Sequence, residues 1–422
     1  MEFPRTALIQ QYFDPQKIDD PVAEVKKEMA ALGLAERVKP GQTAAITVGS
    51  RGIHHIDLIT KTVVDELKAL GLKPFIVPSM GSHGGATAEG QAKVLAGFGI
   101  TEESMGCPIK SSMDVEYLGD AGDGYPVYVD KHAAGADHLV VINRIKPHTK
   151  FEGPVESGLM KMMAIGLGKH KGATYYHRAA IRLTFQRIVE NVGLEVMQRR
   201  SVLFGLGIVE NGFDETCKIK SLLAPDLLEG EKELLKLAKA RMARLPFDDI
   251  DILVVDLIGK DISGTGMDVN VTGRNRDLLG DFAQTQKIKR IFVRDLSPAT
   301  EGNANGIGFA DFTTTRLVNK VDRPKTYMNS LTAISPEKGA IPMYFDTDRE
   351  ALEACFNTIG DIPPSEARVV HIQSTMHLTR LMVSEAFAPE IEARSDLEMI
   401  GGWADMPLGA DGDLISPFLT NP

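Results

Sequence analysis

The sequence predicts an α/β protein with two α/β domains, mostly parallel sheets and a cleft between the domains. Short apolar runs alternate with segments whose apolar residues recur at helical spacing, which is typical of parallel sheets covered by helices. The chain has 422 residues, enough for at least two hydrophobic cores. The segment Arg244-Leu-Pro-Phe-Asp-Asp249 marks a boundary. We therefore predict an N-terminal cofactor-binding and catalytic domain over residues 1–245 and a C-terminal α/β domain over residues 246–422 that closes the substrate cleft.

The first half contains alternating strand and helix patterns. A helix begins near Thr87, a residue type suited to N-capping. Residues 173–199 predict one long helix, and the charged segment 223–242, with its Glu–Lys neighbours, predicts a solvated connecting helix. The remaining predicted elements here are strands at 43–48, 74–77, 137–143 and 202–209 and a helix at 56–70.

The second half continues the alternation. A helical segment over residues 349–357 separates apolar runs that predict buried strands. These predicted strands are 250–257, 288–293, 341–345 and 369–372.

The composition is that of an ordinary globular enzyme. Hydrophobic residues make up 43% and charged residues 25% of the chain, and the formal net charge is −10. A nucleic-acid-binding protein is typically basic, so this balance argues against such a role. Three scattered cysteines suit neither a disulfide framework nor a CxxC metal site. We find no pattern of a signal peptide and no apolar run of membrane length, and we expect a cytoplasmic protein whose oligomeric state is left open.

The most informative segment surrounds His148, Lys161 and His177. An apolar run over 137–143 leads into Lys146-Pro147-His148, so His148 is expected just beyond a buried strand, where open α/β sheets bind ligands. Ser157-Gly158-Leu-Met-Lys161 follows and then His177. Lys161 lies among methionines and its side chain could simply extend from a core to solvent. The combination of these residues favours a site, and five of the ten histidines lie here: His132, His138, His148, His170 and His177.

Two further loops carry polar residues directly after predicted strands. Ser50-Arg51-Gly52 follows the strand at 43–48, and Gly81-Ser82-His83 follows the strand at 74–77. Both lie before predicted helices. Because helix N-termini and glycine-rich loops favour anions, these loops are candidates for holding a phosphate or a carboxylate.

The order of these motifs resembles that of the nickel-pincer-nucleotide-dependent lactate racemase family, of which the chain would be a divergent 2-hydroxy acid racemase or epimerase. The resemblance extends over roughly the first half of the chain. It depends on Ser50-Arg51-Gly52, Gly81-Ser-His83, Pro147-His148, Ser157-Gly-Leu-Met-Lys161 and His177, in that order.

The resemblance implies a role for each motif. Lys161 would carry the cofactor covalently, a nickel-bound pyridinium-3,5-bisthiocarboxylic acid mononucleotide, with Ser50, Arg51, Ser157 and Gly158 around it. His177 would be the protein ligand of nickel, which imidazole suits. His83 and His148 would exchange the substrate hydroxyl proton while a hydride moves to and from the cofactor, and Arg51 would hold the carboxylate. The partners implied are the enzymes that make the cofactor and a small 2-hydroxy acid.

This division of labour is chemically sensible. Removing the C2 hydrogen of a 2-hydroxy acid as a proton would leave a carbanion beside a carboxylate, whereas removing it as a hydride avoids that charge. Hydride chemistry belongs to cofactors rather than side chains. Two bases with a pKa near the working pH are then needed, and histidine, at about 6.5, fits.

Three departures from the family pattern point away from lactate itself. Val48 stands where an acidic residue is expected, and the loop between His148 and Lys161 is longer than expected. The second-domain residues that would clamp lactate have no clear counterpart after Asp268. We therefore expect a larger substrate such as a sugar acid, epimerised at C2. The polar candidates for binding it are Arg274, Asn303 and Asn305, with Asn270 and Thr272 nearby.

Three alternatives remain open. A NAD-dependent dehydrogenase would suit the fold class, although Gly166-Leu-Gly168-Lys-His-Lys-Gly172 has the wrong spacing for a dinucleotide motif. A zinc hydrolase could use His83, His148 and His177, although H-E-x-x-H is absent. A non-catalytic protein could bind the nickel nucleotide without turnover, but such a protein would not need both His83 and His148.

Overall fold

The computed structural model describes residues 1–122, 124–277 and 287–419, and the chain divides into two compact units. The 14–242 unit is continuous, and the C-terminal unit combines residues 1–13 with 243–422. The first strand, β1 (Thr6–Gln11), lies between two strands from the end of the chain and pairs antiparallel with both. Most of its residues alternate between buried and partly buried positions. Residues 1–13 therefore lie outside the unit in which the sequence analysis places them, because backbone pairing joins them to the other sheet.

The 14–242 unit is built on a sheet with the strand order β3-β2-β6-β7-β8. The first four strands are parallel, and β8 runs antiparallel to β7. The strands of this unit are β2 (Thr43–Val48), β3 (Lys73–Pro78), the hairpin β4 (Val115–Ala121) and β5 (Tyr125–Asp130), β6 (His138–Arg144), β7 (Val202–Glu210) and β8 (Thr216–Leu222).

Helices cover this sheet, and several begin where the sequence indicates. The Thr87 hydroxyl accepts a hydrogen bond of 3.0 Å from the backbone N–H of Gly90, as expected of an N-cap. A π-helix over Met162–Gly166 follows α6 directly. The helices are α1 (Pro21–Ala30), α2 (Ile56–Ala69), α3 (Ala88–Gly97), α4 (Glu102–Met105), α5 (Lys131–Ala134), α6 (Leu159–Lys161), α7 (Lys169–Leu183), α8 (Phe185–Arg199) and α9 (Leu227–Arg241).

Two predictions about these helices are wrong. The single helix predicted over 173–199 is broken at Thr184, whose φ of 60° and ψ of 147° cannot continue an α-helix. The helix predicted as a solvated connector, α9, is packed against β7. A Cβ added to Gly205 or Gly207 of β7 would lie within 3 Å of Leu227 or Leu234 of α9, so the glycines allow the helix to approach closely.

The C-terminal unit contains an eight-stranded sheet among its described residues, with the order β12-β11-β10-β9-β13-β14-β1-β15. The strands from β12 to β13 are parallel, and β14, β1 and β15 follow antiparallel. The strands are β9 (Asp249–Ile258), β10 (Lys287–Leu296), β11 (Phe312–Thr314), β12 (Met343–Phe345), β13 (Val369–Ile372), β14 (Arg380–Ser384) and β15 (Leu397–Ala404), and the helices are α10 (Val269–Thr272), α11 (Thr315–Asn319), α12 (Arg323–Thr332), α13 (Asp348–Phe356) and α14 (Ala388–Glu392).

The α/β class with mostly parallel sheets is thus confirmed, and a core of buried aliphatic and aromatic side chains lies against each sheet. None of the helices in the described part of the chain has both the length and the apolar composition needed to cross a bilayer.

Candidate functional site

The predicted site residues of the 14–242 unit lie at the carboxyl edge of its sheet, where the parallel strands end. Ser50 and Arg51 follow β2, His83 follows β3, and Lys146 and His148 follow β6. Because these three strands are neighbours and run in the same direction, their following loops share one edge. This is the ligand-binding edge of open α/β sheets.

The loops after β2 and β3 are joined by a hydrogen bond between the Ser50 hydroxyl and Nδ1 of His83. The side-chain amide of Gln91 donates to the backbone carbonyls of Gly81 at 2.9 Å and of His83 at 3.3 Å. Gly81 has a φ of 60°, in the left-handed region that favours glycine. These bonds fix the loop that carries His83.

A buried ion pair also contacts the loop that carries His83. Lys169 and Asp130 are both fully buried, and the Lys169 ammonium lies 3.3 Å from Oδ2 of Asp130. The ammonium also donates to Oε1 of Gln91 at 3.0 Å and to the carbonyl of Pro78, the last residue of β3. Lys169 therefore organises the His83 loop, a role that sequence analysis does not predict.

The loop that carries His148 is closed at its base. The backbones of Lys146 and Ser157 exchange two hydrogen bonds of 2.9 and 3.2 Å. Inside the loop the buried carboxylate of Glu156 accepts a 2.6 Å bond from the backbone N–H of His148 and pairs with the Lys239 ammonium at 2.6 Å. The long loop between Lys146 and Ser157 is thus held in place by backbone hydrogen bonds and by Glu156.

His148 and His177 share one aromatic neighbour. The ring of Phe185 lies 6.0 Å from the His148 ring and 4.9 Å from the His177 ring, measured between centroids. Phe151 packs on His148 at 4.4 Å. Nδ1 of His148 accepts a 3.0 Å hydrogen bond from the backbone N–H of Lys150, so the neutral imidazole carries its proton on Nε2.

Lys161 ends the short helix α6, and its ammonium lies 3.4 Å from the Ser157 hydroxyl. Desolvation and the positive charges of Arg51 and Lys146 lower the pKa of Lys161 to about 7, against a smaller opposing effect of Glu156. A substantial fraction of this amine is therefore neutral near physiological pH. A neutral amine is the form that attacks electrophiles.

These contacts bring the predicted residues together. Arg51 and Lys146 act on Lys161, Glu156 connects Lys161 to the His148 loop, and Phe185 connects His148 to His177. Gly158, predicted to lie at the cofactor, has another neighbour as well. A Cβ at this position would lie 2.1 Å from Oε1 of Glu231, so only glycine leaves room for that carboxylate.

The predicted substrate residues of the C-terminal unit make contacts inside that unit. Arg274 pairs with Asp311, and Oδ1 of Asn303 accepts a 3.1 Å bond from the backbone N–H of Asn305. Oδ1 of Asn305 accepts a bond of 3.1 Å from the Ser330 hydroxyl. These polar groups therefore have structural partners, and their assignment to substrate binding stays a prediction.

The geometry bears on two of the alternatives. Within residues 1–122, 124–277 and 287–419 no three His, Cys, Asp or Glu side chains are placed to hold a metal ion, so His83, His148 and His177 do not form the three-histidine centre of a zinc hydrolase. Residues 166–172 lie at the end of the π-helix and the start of α7, not after a strand. The dinucleotide motif of a dehydrogenase is therefore not formed there.

The fold and this edge define an α/β protein in which a lysine with a lowered pKa and two histidines follow neighbouring parallel strands. Residues 10–186 match the family model described as the lactate racemase N-terminal domain. This part of the chain is thus similar to the lactate racemase N-terminal domain, as the motif order indicates.

Two solved structures are similar to this chain. The lactate racemase apoprotein from Thermoanaerobacterium thermosaccharolyticum has 15% identity and a TM-score of 0.45, with 66% of this chain and 68% of that chain covered. A protein from Thermotoga maritima has 14% identity and a TM-score of 0.52, with 87% of this chain and 99% of that chain covered. The second likeness shows a shared fold. No match is found among curated proteins.

Four residues at this edge are not predicted from the sequence, namely Glu156, Phe185, Glu231 and Lys239. One pattern could have indicated Glu231, because it occupies the apolar face of α9, four residues after the buried Leu227. A carboxylate on that face requires a buried partner. The other three residues belong to segments whose contacts depend on distant parts of the chain.

Proposed function

We propose that this protein is a 2-hydroxy acid racemase or epimerase that inverts C2 by hydride transfer, with a nickel-pincer nucleotide attached to Lys161. The observation that supports this most is the setting of Lys161, whose amine lies 3.4 Å from the Ser157 hydroxyl and interacts electrostatically with Arg51 and Lys146. The lactate racemase family match supports a racemase-type isomerase in general. The cofactor, the hydride route and the substrate class are our inference.

The residues present fit such a cofactor. A lysine with a pKa of about 7 supplies the neutral amine that an amide-type linkage needs. Arg51 and Lys146 carry the charges that favour a phosphate or a carboxylate. The imidazole of His177 suits nickel, and the packing of Phe185 on that ring restricts its orientation. The bound cofactor would supply the acceptor for the hydride.

The protein itself would bind the substrate and move the hydroxyl proton. Arg51 would hold the carboxylate by a charged pair. His83 and His148 would act in turn as base and acid, one for each configuration of C2. Nδ1 of His83 is bonded to the Ser50 hydroxyl, and Nδ1 of His148 accepts from the N–H of Lys150. For His148 to act as a base at Nε2, its proton would have to move to Nδ1 and the bond from Lys150 would have to break.

The central experiment is mass spectrometry of the protein produced with nickel and the cofactor biosynthesis enzymes. One nucleotide adduct should be found on Lys161, and Lys161→Ala should carry none. Lys131, an exposed lysine paired with Asp114, provides a control as Lys131→Ala, which should still be loaded. Fully active protein with unmodified Lys161 would overturn the proposal.

The role of His177 has its own test. His177→Ala should keep the adduct on Lys161 and lose nickel, measured by metal analysis of the loaded protein. His83→Ala and His148→Ala should retain nickel. Equal loss of nickel in all three variants would instead favour a three-histidine metal site.

The substrate class is tested by a panel of 2-hydroxy acids. We expect sugar acids to be inverted faster than lactate, because Val48 and the braced loop of residues 147–156 differ from the lactate pattern. In D₂O, NMR should find the original hydrogen retained at C2. Extensive deuterium at C2 would contradict hydride transfer, whereas preference for lactate would contradict only the substrate assignment.

A further inference from the structure

Helix α9 places a carboxylate directly against the backbone of the lysine motif. Glu231 is fully buried, and its Oε2 accepts a 2.8 Å hydrogen bond from the backbone N–H of Met160. The N–H of Leu159 also acts on this carboxylate and lowers its pKa. Both N–H groups belong to the first turn of α6, where the helix itself supplies no acceptor.

The other carboxylate oxygen explains the glycine in the motif. Oε1 of Glu231 lies where it would be 2.1 Å from a Cβ on residue 158, so any side chain there would displace the carboxylate. The Gly158 carbonyl is fixed in turn by a 2.9 Å bond from the side-chain amide of Asn143. The backbone from 158 to 161 is thus held from both sides.

We propose that Glu231 is a positioning residue of the lysine site, whose carboxylate fixes residues 158–161 and thereby keeps the Lys161 amine in its desolvated, cationic surrounding. The inference rests on the proposed function only in that Lys161 is taken as the attachment point. It concerns the protein before any cofactor is bound.

If α9 served only to pack against the sheet, an apolar side chain at position 231 would suffice. Burial raises the pKa of Glu231 to about 7, although the N–H groups of Met160 and Leu159 oppose that rise. Burying a carboxyl group costs free energy that a leucine would not. The contact of this group with the lysine motif is therefore its distinguishing feature.

The same helix reaches the His148 loop through a second residue. Lys239 pairs with Glu156 at 2.6 Å, and Glu156 holds the backbone N–H of His148. Helix α9 thus contacts both the segment that carries Lys161 and the loop that carries His148.

The test measures the reactivity of Lys161 in cofactor-free protein. The protein is treated with acetic anhydride over a range of pH, and acetylation of the Lys161 peptide is followed by mass spectrometry. Wild-type protein should give an apparent pKa of about 7. Glu231→Ala should raise it by at least about one pH unit, which lowers the acetylation rate at pH 7 by at least about fivefold at equal reagent access.

Two variants separate positioning from general damage. Glu231→Gln keeps an oxygen acceptor and should retain the wild-type apparent pKa. Glu229→Ala removes an exposed carboxylate on the same helix, paired with Lys232, and should change nothing. An unchanged apparent pKa in folded Glu231→Ala, or an equal shift in the Gln or Glu229 variants, would overturn the proposal.

If Glu231→Ala does not fold, Gly158→Ala tests the same contact from the other side. The added methyl would enter the position of the carboxylate and should raise the apparent pKa of Lys161 in the same direction. A folded Gly158→Ala protein with wild-type reactivity would contradict the inference. None of these readouts requires cofactor, so a failure of the proposed function would be seen separately in the adduct experiment.

Discussion

The carboxyl edges of the two sheets use charged side chains in opposite ways. At the edge of the C-terminal unit, Arg294 lies between the buried carboxylates of Asp256 and Asp348, and Nε2 of His371 lies 2.6 Å from Asp256. At the edge of the 14–242 unit, the positive charges near Lys161 act in the same direction and lower its pKa. At the edge of the C-terminal unit, opposite charges are paired. At the edge of the 14–242 unit, two positively charged side chains act on one amine.

The balanced edge is also covered by its own chain. The backbone N–H of Leu414 donates to Asp348 at 2.9 Å, its carbonyl accepts from Arg294 at 2.6 Å, and Asp413 pairs with Arg316 at 2.6 Å. Breaking a buried ion pair is strongly destabilising, whereas a lysine whose pKa is lowered to about 7 is a candidate for chemistry. We therefore expect changes at the first edge to affect stability and changes at the second edge to affect reactivity, and each expectation can be tested.

The largest effect is expected from the histidines of the reactive edge. His83→Ala and His148→Ala should each lower turnover of the best 2-hydroxy acid by about 10² to 10⁴, the usual loss for a general acid or base. Thermal unfolding should stay close to wild type. His170→Ala, an exposed histidine of the same segment, is the control and should keep full turnover. Full turnover without His83 or His148 would remove that residue from the mechanism.

The balanced edge should respond in stability instead. Arg294→Met leaves Asp256 and Asp348 buried without their shared cation and should lower the free energy of unfolding of the C-terminal unit by about 3–5 kcal/mol, measured in urea. Lys236→Met breaks an exposed pair with Glu233 and should have no measurable effect. A small loss in the Arg294 variant would show that the two edges do not differ as described.

The smallest effect is the pH dependence of cofactor loading at Lys161. Loading at Lys161 needs the neutral amine, whose fraction should rise from about a tenth at pH 6 to about nine tenths at pH 8 if its pKa is about 7. The rate should therefore increase with pH and level off above pH 8. A loading rate that is still rising at pH 9 would contradict the lowered pKa of Lys161.

Local patterns explain the successful predictions about this edge. The strands that end before Ser50, His83 and Lys146 follow from short apolar runs, and Thr87 begins its helix as its residue type indicates. The helix break at Thr184 was not predicted, because the surrounding apolar spacing is continuous and threonine rarely adopts a positive φ. That break allows Phe185 to begin a new helix beside His148 and His177.

The sequence by itself determined the α/β class, the order of the motifs and the strand ends that carry them, because each depends on residues that are close together in the chain. Only the tertiary structure decided which groups support them. Glu231 meets Met160 across 71 residues of sequence, and Lys239 reaches Glu156 from the same helix. The pKa of Lys161 depends on Arg51, which approaches only through the neighbouring strands β2 and β6. Such contacts arise from the packing of distant segments, which local periodicity does not encode.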